Sequence, residues 1–509
     1  MTTTIKIMDT TLRDGEQTTG VSFTENEKLS VAKILLEEVK VDRVEIASAR
    51  VSNGEYKTAR AIMDWAARKG YQDKIEILGF IDGTVSIDWI SNVGGKVVNL
   101  LCKGSYKHVT EQLKKTPEQH VADIRKVIAY AKEKGIRVNI YLEDWSNGMR
   151  NSKDYVFFMV DQLQNEEIDR LMLPDTLGIL SPEETFVFCS EMVARYPGCR
   201  FDFHAHNDYD LAVANVFQAI KAGIDTVHTT VNGLGERAGN ATLASVIALV
   251  VDHLKLKTSI NESKLNKISK IIETFSGIRI PANKPLVGEY VFTQCSGIHA
   301  DGDNKNNLYF NDLIPERFGR KRVYALGKTS GKANIVKNLE ELGLSLDAES
   351  LKKVTDKISE LGDQKEMVTI DDLPYIVADV LKSEAIEMKI NIENFIISHA
   401  KGMYPTATVS LRIDGQRYEQ SSSGDGQYDA FMNAIKKIYF DLNKPLPVLT
   451  DYVVSIPPGG RTDALVETVI TWKYNREFKT RGLETDQTHA AIIATEKMLN
   501  VIENEFDKV

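Results

Sequence analysis

The sequence predicts an α/β protein: a (β/α)₈ TIM barrel, then a mostly helical linker region, then a C-terminal α+β domain written as a βββα repeat. Three observations predict it. Eight short β-rich runs alternate with long amphipathic stretches through residues 1–270. The chain then changes character over residues 271–385, beginning with a segment rich in Gly, Asn and Asp at 275–332. From 386 to 509 a pattern of three strands and a helix occurs twice.

The strand runs are 5–8, 43–47, 75–80, 97–101, 138–142, 170–173, 201–204 and 226–231. Amphipathic stretches at 25–38, 118–133, 183–196 and 211–222 lie between them. Thr116-Pro117-Glu118 and Ser181-Pro182-Glu183 read as helix starts. Each offers a capping hydroxyl, a proline in the first turn and an acid at the positive end of the helix dipole. Eight strands, each followed by a helix, favour a closed parallel barrel over an open doubly wound sheet. The absence of GxGxxG after the first strand weighs against the dinucleotide-binding version of that sheet. Residues 275–332 read as a long ordered linker with short helices, and helical pattern returns at 337–361 and 373–382. In the last region, runs 389–397, 407–413 and 417–420 lead through Gly-Asp-Gly to a helix at 428–442. Runs 451–456, 464–472 and 477–481 then lead to a helix at 486–503. The two halves share a pattern and little identity.

Composition excludes several classes of function. The chain has 509 residues, 42% hydrophobic and 27% charged, an ordinary globular balance. Net charge is −9 with no Lys/Arg block, so nucleic acid is not an expected partner. Cys102, Cys189, Cys199 and Cys295 show no CxxC spacing. A disulfide framework or structural zinc site is therefore not expected, and a reducing cytoplasm fits. The opening residues lack the basic and apolar regions of a signal peptide. No run reaches the roughly 18 apolar residues of a membrane span.

His204-Ala205-His206 ends the seventh strand run. Residues i and i+2 of a strand point to one face, so both imidazoles can converge on one ion. Two packed structural histidines are the competing reading of this pair alone. Barrel active sites form where strands end, and other strand ends carry suitable groups. Arg13 and Asp14 follow the first strand, Glu143 ends the fifth, Thr176 follows the sixth and Asn240 follows the eighth. Singly, each is explained by a surface ion pair or a helix cap; jointly they point to one mouth. Asp14, His204 and His206 form a carboxylate–imidazole set suited to a divalent ion such as Zn²⁺ or Mn²⁺, with positions open for substrate oxygen. Asn240 can add a carbonyl oxygen. An ion so held suits a 2-oxo acid, whose ketone it would polarise, and Arg13 can stabilise the oxyanion that develops.

Leu12-Arg13-Asp14-Gly15-Glu16-Gln17, followed by Lys28, resembles the first signature of the 2-isopropylmalate/homocitrate/citramalate synthase family. His204-Ala205-His206-Asn207-Asp208 resembles the second, and GLGERAGN (233–240) the third. One departure is Asp210, where the second signature usually has Gly. The resemblance extends over the whole chain and implies an acetyl-CoA-dependent Claisen condensation on a 2-oxo acid. It implies a bound divalent metal (Zn²⁺, Mn²⁺ or Mg²⁺), with Glu143 and His299 as candidate bases. It also implies a homodimer, in which the linker carrying His299 reaches the partner's barrel. Isopropylmalate synthases usually have small residues before the glutamate, whereas Tyr141 stands two before Glu143 here. With Leu78 and Leu101 at neighbouring strand ends, this pattern resembles the pyruvate-using, citramalate-forming branch. Without that resemblance, Tyr141 and the leucines read as ordinary barrel core.

The C-terminal region resembles the family's regulatory domain. Its effector is then the pathway's end product, here isoleucine, bound near Tyr428, Asp429, Pro458 and Gly459, where backbone N–H groups at a helix start suit a carboxylate. The competing reading of this region is a dimerisation domain without a ligand. For the whole chain the nearest rival is 2-isopropylmalate synthase. A homocitrate synthase, an acyl-CoA-splitting lyase and a catalytically idle amino-acid sensor are more distant ones.

Overall fold

Eight strands close into a parallel barrel in sequence order. They are β1 (Lys6–Asp9), β2 (Arg43–Ser48), β3 (Ile75–Phe80), β4 (Val97–Lys103), β5 (Arg137–Glu143), β6 (Arg170–Asp175), β7 (Phe201–Ala205) and β8 (Thr226–Thr229). A computed structural model describes residues 4–341, 345–363, 368, 370–381, 389–455 and 466–504. β1 pairs with β8 in register from Lys6 opposite Thr226 to Asp9 opposite Thr229, which shuts the ring and overturns the open-sheet alternative. β8 ends two residues earlier than its pattern predicts. Val231–Gly233 is a short 3₁₀ turn that starts the glycine-rich loop.

The helices form where capping and periodicity agree. Thr116 and Ser181 each accept a hydrogen bond from the backbone of the third helical residue, Gln119 or Glu184, whose side chain bonds back to the cap. Both are capping boxes with proline in the first turn. The 25–38 stretch is an α-helix over Glu25–Lys33 that widens into a π-helical stretch, Ile34–Val39. It closes on Lys40 in the left-handed region, with φ 67°. The helices cover the barrel with a continuous apolar layer that includes Ile62, Ile90, Ile124, Val160, Val216 and Ile247.

Contacts across the barrel identify its inner face. Tyr141 on β5 meets His228 on β8, and Arg43 on β2 meets Asp202 on β7, although neither pair sits on neighbouring strands. Strand alternation then sends Glu45, Leu78, Asn99, Leu101, Lys103, Glu143, Met172 and His204 inward as well. The fold's use of a period of two thus gathers polar and apolar groups from every part of the first 230 residues.

The chain divides into two units, Met1–Phe292 with Asn311–Lys321, and Thr293–Phe310 with Arg322–Val509. Within the second, the helices Lys332–Glu341, Ala348–Asp363 and Leu373–Leu381 share a small core around Ile335, Val354, Ile358 and Leu373. Two three-stranded antiparallel sheets follow, each with its own helix. The first is Ile390–Ser398, Thr406–Ile413, Gln416–Ser423 and the helix Gln427–Asp441. The second is Val448–Ser455, Val466–Lys473, Glu477–Glu484 and the helix Gln487–Glu503. The doubled βββα pattern of the sequence is therefore the structure of this region. Its core joins both repeats through Val409, Phe431, Ile435, Ile470, Trp472 and Met498.

Candidate active site

The turn after β1 is tied by one carbonyl. The N–H groups of Arg13, Asp14 and Gly15 all donate to the Thr10 carbonyl, at 3.1, 2.9 and 3.0 Å. This knot places the Asp14 carboxylate over the end of β7. Asp14 Oδ2 lies 3.1 Å from His204 Nε2 and 3.8 Å from His206 Nε2, and the two Nε2 atoms are 3.3 Å apart. All three side chains are buried, and their candidate ligand atoms fall within 4.8 Å of one another.

The donor set fits a cation. Asp14 Oδ1, Asn240 Oδ1 and the Nδ1 atoms of both histidines are buried without a hydrogen-bond partner. Burial pushes the His206 pKa down to about 4 against the opposing charge of Asp14, and burial also lowers His204. Burial alone would raise Asp14, but the Arg13 guanidinium and His204 hold it well below the usual carboxylate range. At neutral pH the site is one carboxylate and two neutral imidazoles, the protonation state a metal needs.

Arg13 is held from inside the barrel. Its Nε donates to Glu45 Oε2 at 2.6 Å, and its Nη2 makes a long 3.5 Å contact to the Tyr141 hydroxyl. Its Nη1 lies 3.4 Å from Asp14 Oδ2. Glu45 is held in turn by Asn99, and Asn99 by Asn139. None of these three was named from the sequence. Lys28 has a structural place: it is buried and pairs with both Glu16 and Glu55, anchoring the loop after β1 to the next helices.

Leu78 and Tyr141 share a small apolar cluster inside the barrel with Met8 and Met172, and Leu101 packs against it. The expected wall residues therefore come together. The two methionines were missed, though each is an inward residue in register with a named neighbour: Met172 opposite Tyr141, Met8 opposite His228. Glu143, at the end of β5, has Oε2 engaged by Lys103 from the adjacent register position of β4. Thr176 accepts the Asp144 N–H at 2.9 Å, which steadies Asp144 in the left-handed region.

The glycine-rich loop closes the mouth beside Asn240. Gly235 and Gly239 have φ of +151° and +84°, and a Cβ on either would lie 2.1 Å from Asn240 Nδ2 or 1.9 Å from the Gly233 carbonyl. Only glycine permits that approach. Arg237 grips Asp208 with two bonds of 2.7 and 3.0 Å, joining this loop to the segment after β7. Asp210 lies in the left-handed region with φ 58°, which accounts for glycine at that place in the family signature. Asp tolerates the conformation through a local bond, here from Asn207 Nδ2 at 3.0 Å.

The remaining expected residues lie in the second unit. His299 is in the helix Gly297–Asn304, with Nδ1 3.2 Å from Gln294 Oε1 and its ring 4.2 Å from that of Tyr309. Tyr428 bonds Thr495 of the second repeat at 2.7 Å, and Asp429 Oδ2 accepts from the Asp425 N–H at 2.9 Å. Pro458 and Gly459 lie outside the described residues.

Comparison with known proteins decides the family. The HMGL-like family matches residues 4–272, more than half of the chain. The (R)-citramalate synthase CimA of Methanocaldococcus jannaschii is 32% identical over 504 residues, covering 98% of this chain and 100% of that one. The chain belongs to the HMGL-like synthase family. Beyond the HMGL-like barrel, residues 286–366 match a homocitrate synthase post-HMGL domain, and residues 367–503 match the LeuA allosteric (dimerisation) domain. A Methanopyrus kandleri protein whose (R)-citramalate synthase name is provisional is 35% identical over 467 residues, 91% of this chain and 88% of that one. The 2-isopropylmalate synthase of M. jannaschii is 33% identical over 505 residues, 98% of this chain and 94% of that one. Among the described residues no helix is long and apolar enough to cross a membrane.

The buried imidazoles make stability depend on pH. His120 and His206 both have pKa values lowered by burial from 6.5 to about 4. Between those values the unfolded chain binds protons that the folded chain refuses. Stability is thus fully present above about pH 6.5 and is lost as pH falls through about 4. For metal-free protein this is a loss of unfolding free energy between pH 7 and 5 of on the order of 1–2 kcal/mol for each such imidazole, offset in part by Asp9, whose carboxyl is pushed up to about 7 by burial. NMR titration of the two histidine rings isolates the effect, and neither ring is expected to take up its proton between pH 7 and 5. A ring that takes up its proton near pH 6.5 would contradict this account of the buried imidazoles.

Proposed function

We propose that this chain is an (R)-citramalate synthase. It condenses acetyl-CoA with pyruvate and hydrolyses the thioester, releasing (R)-citramalate and CoA in the cytoplasm. The observation that carries the choice of acceptor is the cluster of Met8, Leu78, Leu101, Tyr141 and Met172 inside the barrel. Five bulky side chains there suit a methyl group and would crowd an isopropyl group, at a cost of about 1–3 kcal/mol.

Asp14, His204 and His206 would hold a divalent ion (Zn²⁺, Mn²⁺ or Mg²⁺), with Asn240 Oδ1 as a further ligand. When bound, the ion supplies Lewis acidity at the pyruvate ketone. Arg13 faces the same ketone and neutralises the oxyanion that develops there. Its orientation is already set by Glu45, so little reorganisation is needed during reaction. Thr176 contacts the substrate carboxylate. Glu143 removes a proton from the acetyl-CoA methyl through the oxygen that Lys103 does not engage, and His299 of the partner subunit is the second candidate base. The carbanion equivalent adds to the ketone carbon, the resulting alkoxide takes a proton, and water cleaves the thioester.

This reading includes a homodimer of three-part chains divided near residues 270 and 385. The match of residues 367–503 to an allosteric domain supports an effector site there, which we assign to isoleucine at Tyr428, Asp429, Pro458 and Gly459. A second acceptor, 2-oxoisovalerate, is favoured by the nearly equal identity to the M. jannaschii 2-isopropylmalate synthase.

Free thiol released from acetyl-CoA, with pyruvate, 2-oxobutanoate and 2-oxoisovalerate compared side by side, tests the acceptor. Pyruvate is expected to give the highest kcat/KM, by tenfold or more over 2-oxoisovalerate. Preference for 2-oxoisovalerate would replace the citramalate reading with the isopropylmalate one. Isoleucine added to the same assay is expected to lower the rate, and a rate indifferent to isoleucine would remove the effector assignment.

A further inference from the structure

Beneath the pocket wall, a chain of hydrogen bonds runs from the charged floor of the barrel to Arg13. At its lower end Asp202 is fully buried between Arg43 and Arg170. Arg170 Nη1 lies 2.9 Å from Asp202 Oδ1, and the Arg43 guanidinium engages Oδ2. Two guanidinium groups hold the carboxyl ionised, well below its ordinary range despite its burial. An ionised carboxylate only accepts hydrogen bonds.

His228 Nε2 stands 3.1 Å from Asp202 Oδ2, so that nitrogen must carry the hydrogen. Arg13, which can only donate, faces the Tyr141 oxygen from the other side, so the hydroxyl's single hydrogen is left for His228 Nδ1 and the ring carries its hydrogen on Nε2 alone. A neutral imidazole with its hydrogen on Nε2 has a bare Nδ1. The Tyr141 hydroxyl lies 3.1 Å from Nδ1. The hydroxyl must therefore donate downward to His228. Its lone pairs are left facing Arg13 Nη2 at 3.5 Å, and the Arg13 guanidinium carbon is 5.8 Å from the Tyr141 ring centroid.

The hydrogens of His228 and Tyr141 each have one direction available, and neither points at the acceptor. We propose that Asp202 and His228 form a positioning dyad that locks the Tyr141 hydroxyl away from the acceptor pocket, so that Tyr141 meets the 2-oxo acid's side chain as an apolar ring and the dyad sets acceptor-size specificity. His228 packs edge-on against the His204 ring, with centroids 5.4 Å apart, but offers no atom to the ion or to substrate. In this role it acts through Tyr141, and the metal content of each variant separates the two contacts. Without the dyad, the buried hydroxyl loses its acceptor and the ring is free to tilt, which widens the pocket. The inference rests on the reading of the cluster around Tyr141 as the wall of the acceptor site.

A specificity cycle on the full-length, metal-loaded enzyme tests it. kcat/KM is measured for pyruvate and for 2-oxobutanoate in His228→Leu, His228→Asn, Tyr141→Phe and the two double variants, with bound metal measured in each. Asn can present an oxygen acceptor where Nδ1 stood; Leu cannot. The expected result for His228→Leu is a drop of about tenfold in kcat/KM for pyruvate, carried mainly by KM. The preference for pyruvate over 2-oxobutanoate should shrink severalfold, with full metal content. His228→Asn should restore most of that preference. In the Tyr141→Phe background the Leu and Asn variants should agree within twofold. If His228→Leu does not fold, His228→Gln, which also lacks an acceptor at the Nδ1 position, replaces it in the cycle. Losses at His228 that persist undiminished without the Tyr141 hydroxyl would overturn the dyad, as would an unchanged acceptor ratio in His228→Leu. Failure of the wild-type chain to use either acid would instead count against the acceptor reading, and the cycle would be read on whichever acceptor it does use.

Discussion

Asp14 is an anion whose side chain is almost wholly shut off from solvent. A buried carboxylate is costly unless a positive partner stands against it. Arg13 supplies part of that charge, but the same guanidinium is shared with Glu45, both of whose oxygens accept hydrogen bonds. One cation facing two carboxylates leaves negative charge uncompensated beside two neutral imidazoles. A divalent ion would resolve this imbalance, and several features of the mouth place the groups that would hold it. The Thr10 carbonyl ties the turn that delivers Asp14. Lys28 anchors the loop beyond it through Glu16. The Arg237–Asp208 pair fastens the loop carrying Asn240 to the segment carrying His206.

The same barrel interior separates two tasks by level. Charged residues fill the floor: Arg43, Glu76, Arg170 and Asp202 pair among themselves. Above them lies the apolar cluster around Tyr141, and above that the triad. Tyr141 touches all three levels: its ring is in the cluster, its hydroxyl reaches His228, and its edge faces His204 with ring centroids 6.1 Å apart. A substitution at the floor can therefore be felt at the mouth without any change in the metal ligands.

Much of this was legible in the sequence because a strand's period of two and a barrel's strand ends are local rules. His204 and His206 share a face by spacing alone, and Asp14, Glu143 and Asn240 follow strands whose patterns are clear. Thr116 and Ser181 announced their helices through capping chemistry. The inner partners were not legible. Glu45, Lys103, Met8, Met172 and His228 acquire meaning only when β1 meets β8 and distant strands face one another across the closed ring. A sequence shows that His228 is inward-facing on a strand; it does not show that Tyr141 waits on the opposite wall. Asp210 is the reverse case, where a departure from the family pattern was visible and its reason, a left-handed backbone eased by Asn207, was not.

The central claim is that Asp14, His204 and His206 hold one divalent ion with positions open to a 2-oxo acid. Electron paramagnetic resonance of Mn²⁺ titrated into metal-stripped protein tests this most directly. The account expects one tightly bound Mn²⁺ per chain, a spectrum altered by adding pyruvate, and loss of that binding in Asp14→Asn and His204→Ala. Tight binding that survives both substitutions, or a bound-ion spectrum indifferent to every 2-oxo acid tried, would contradict it.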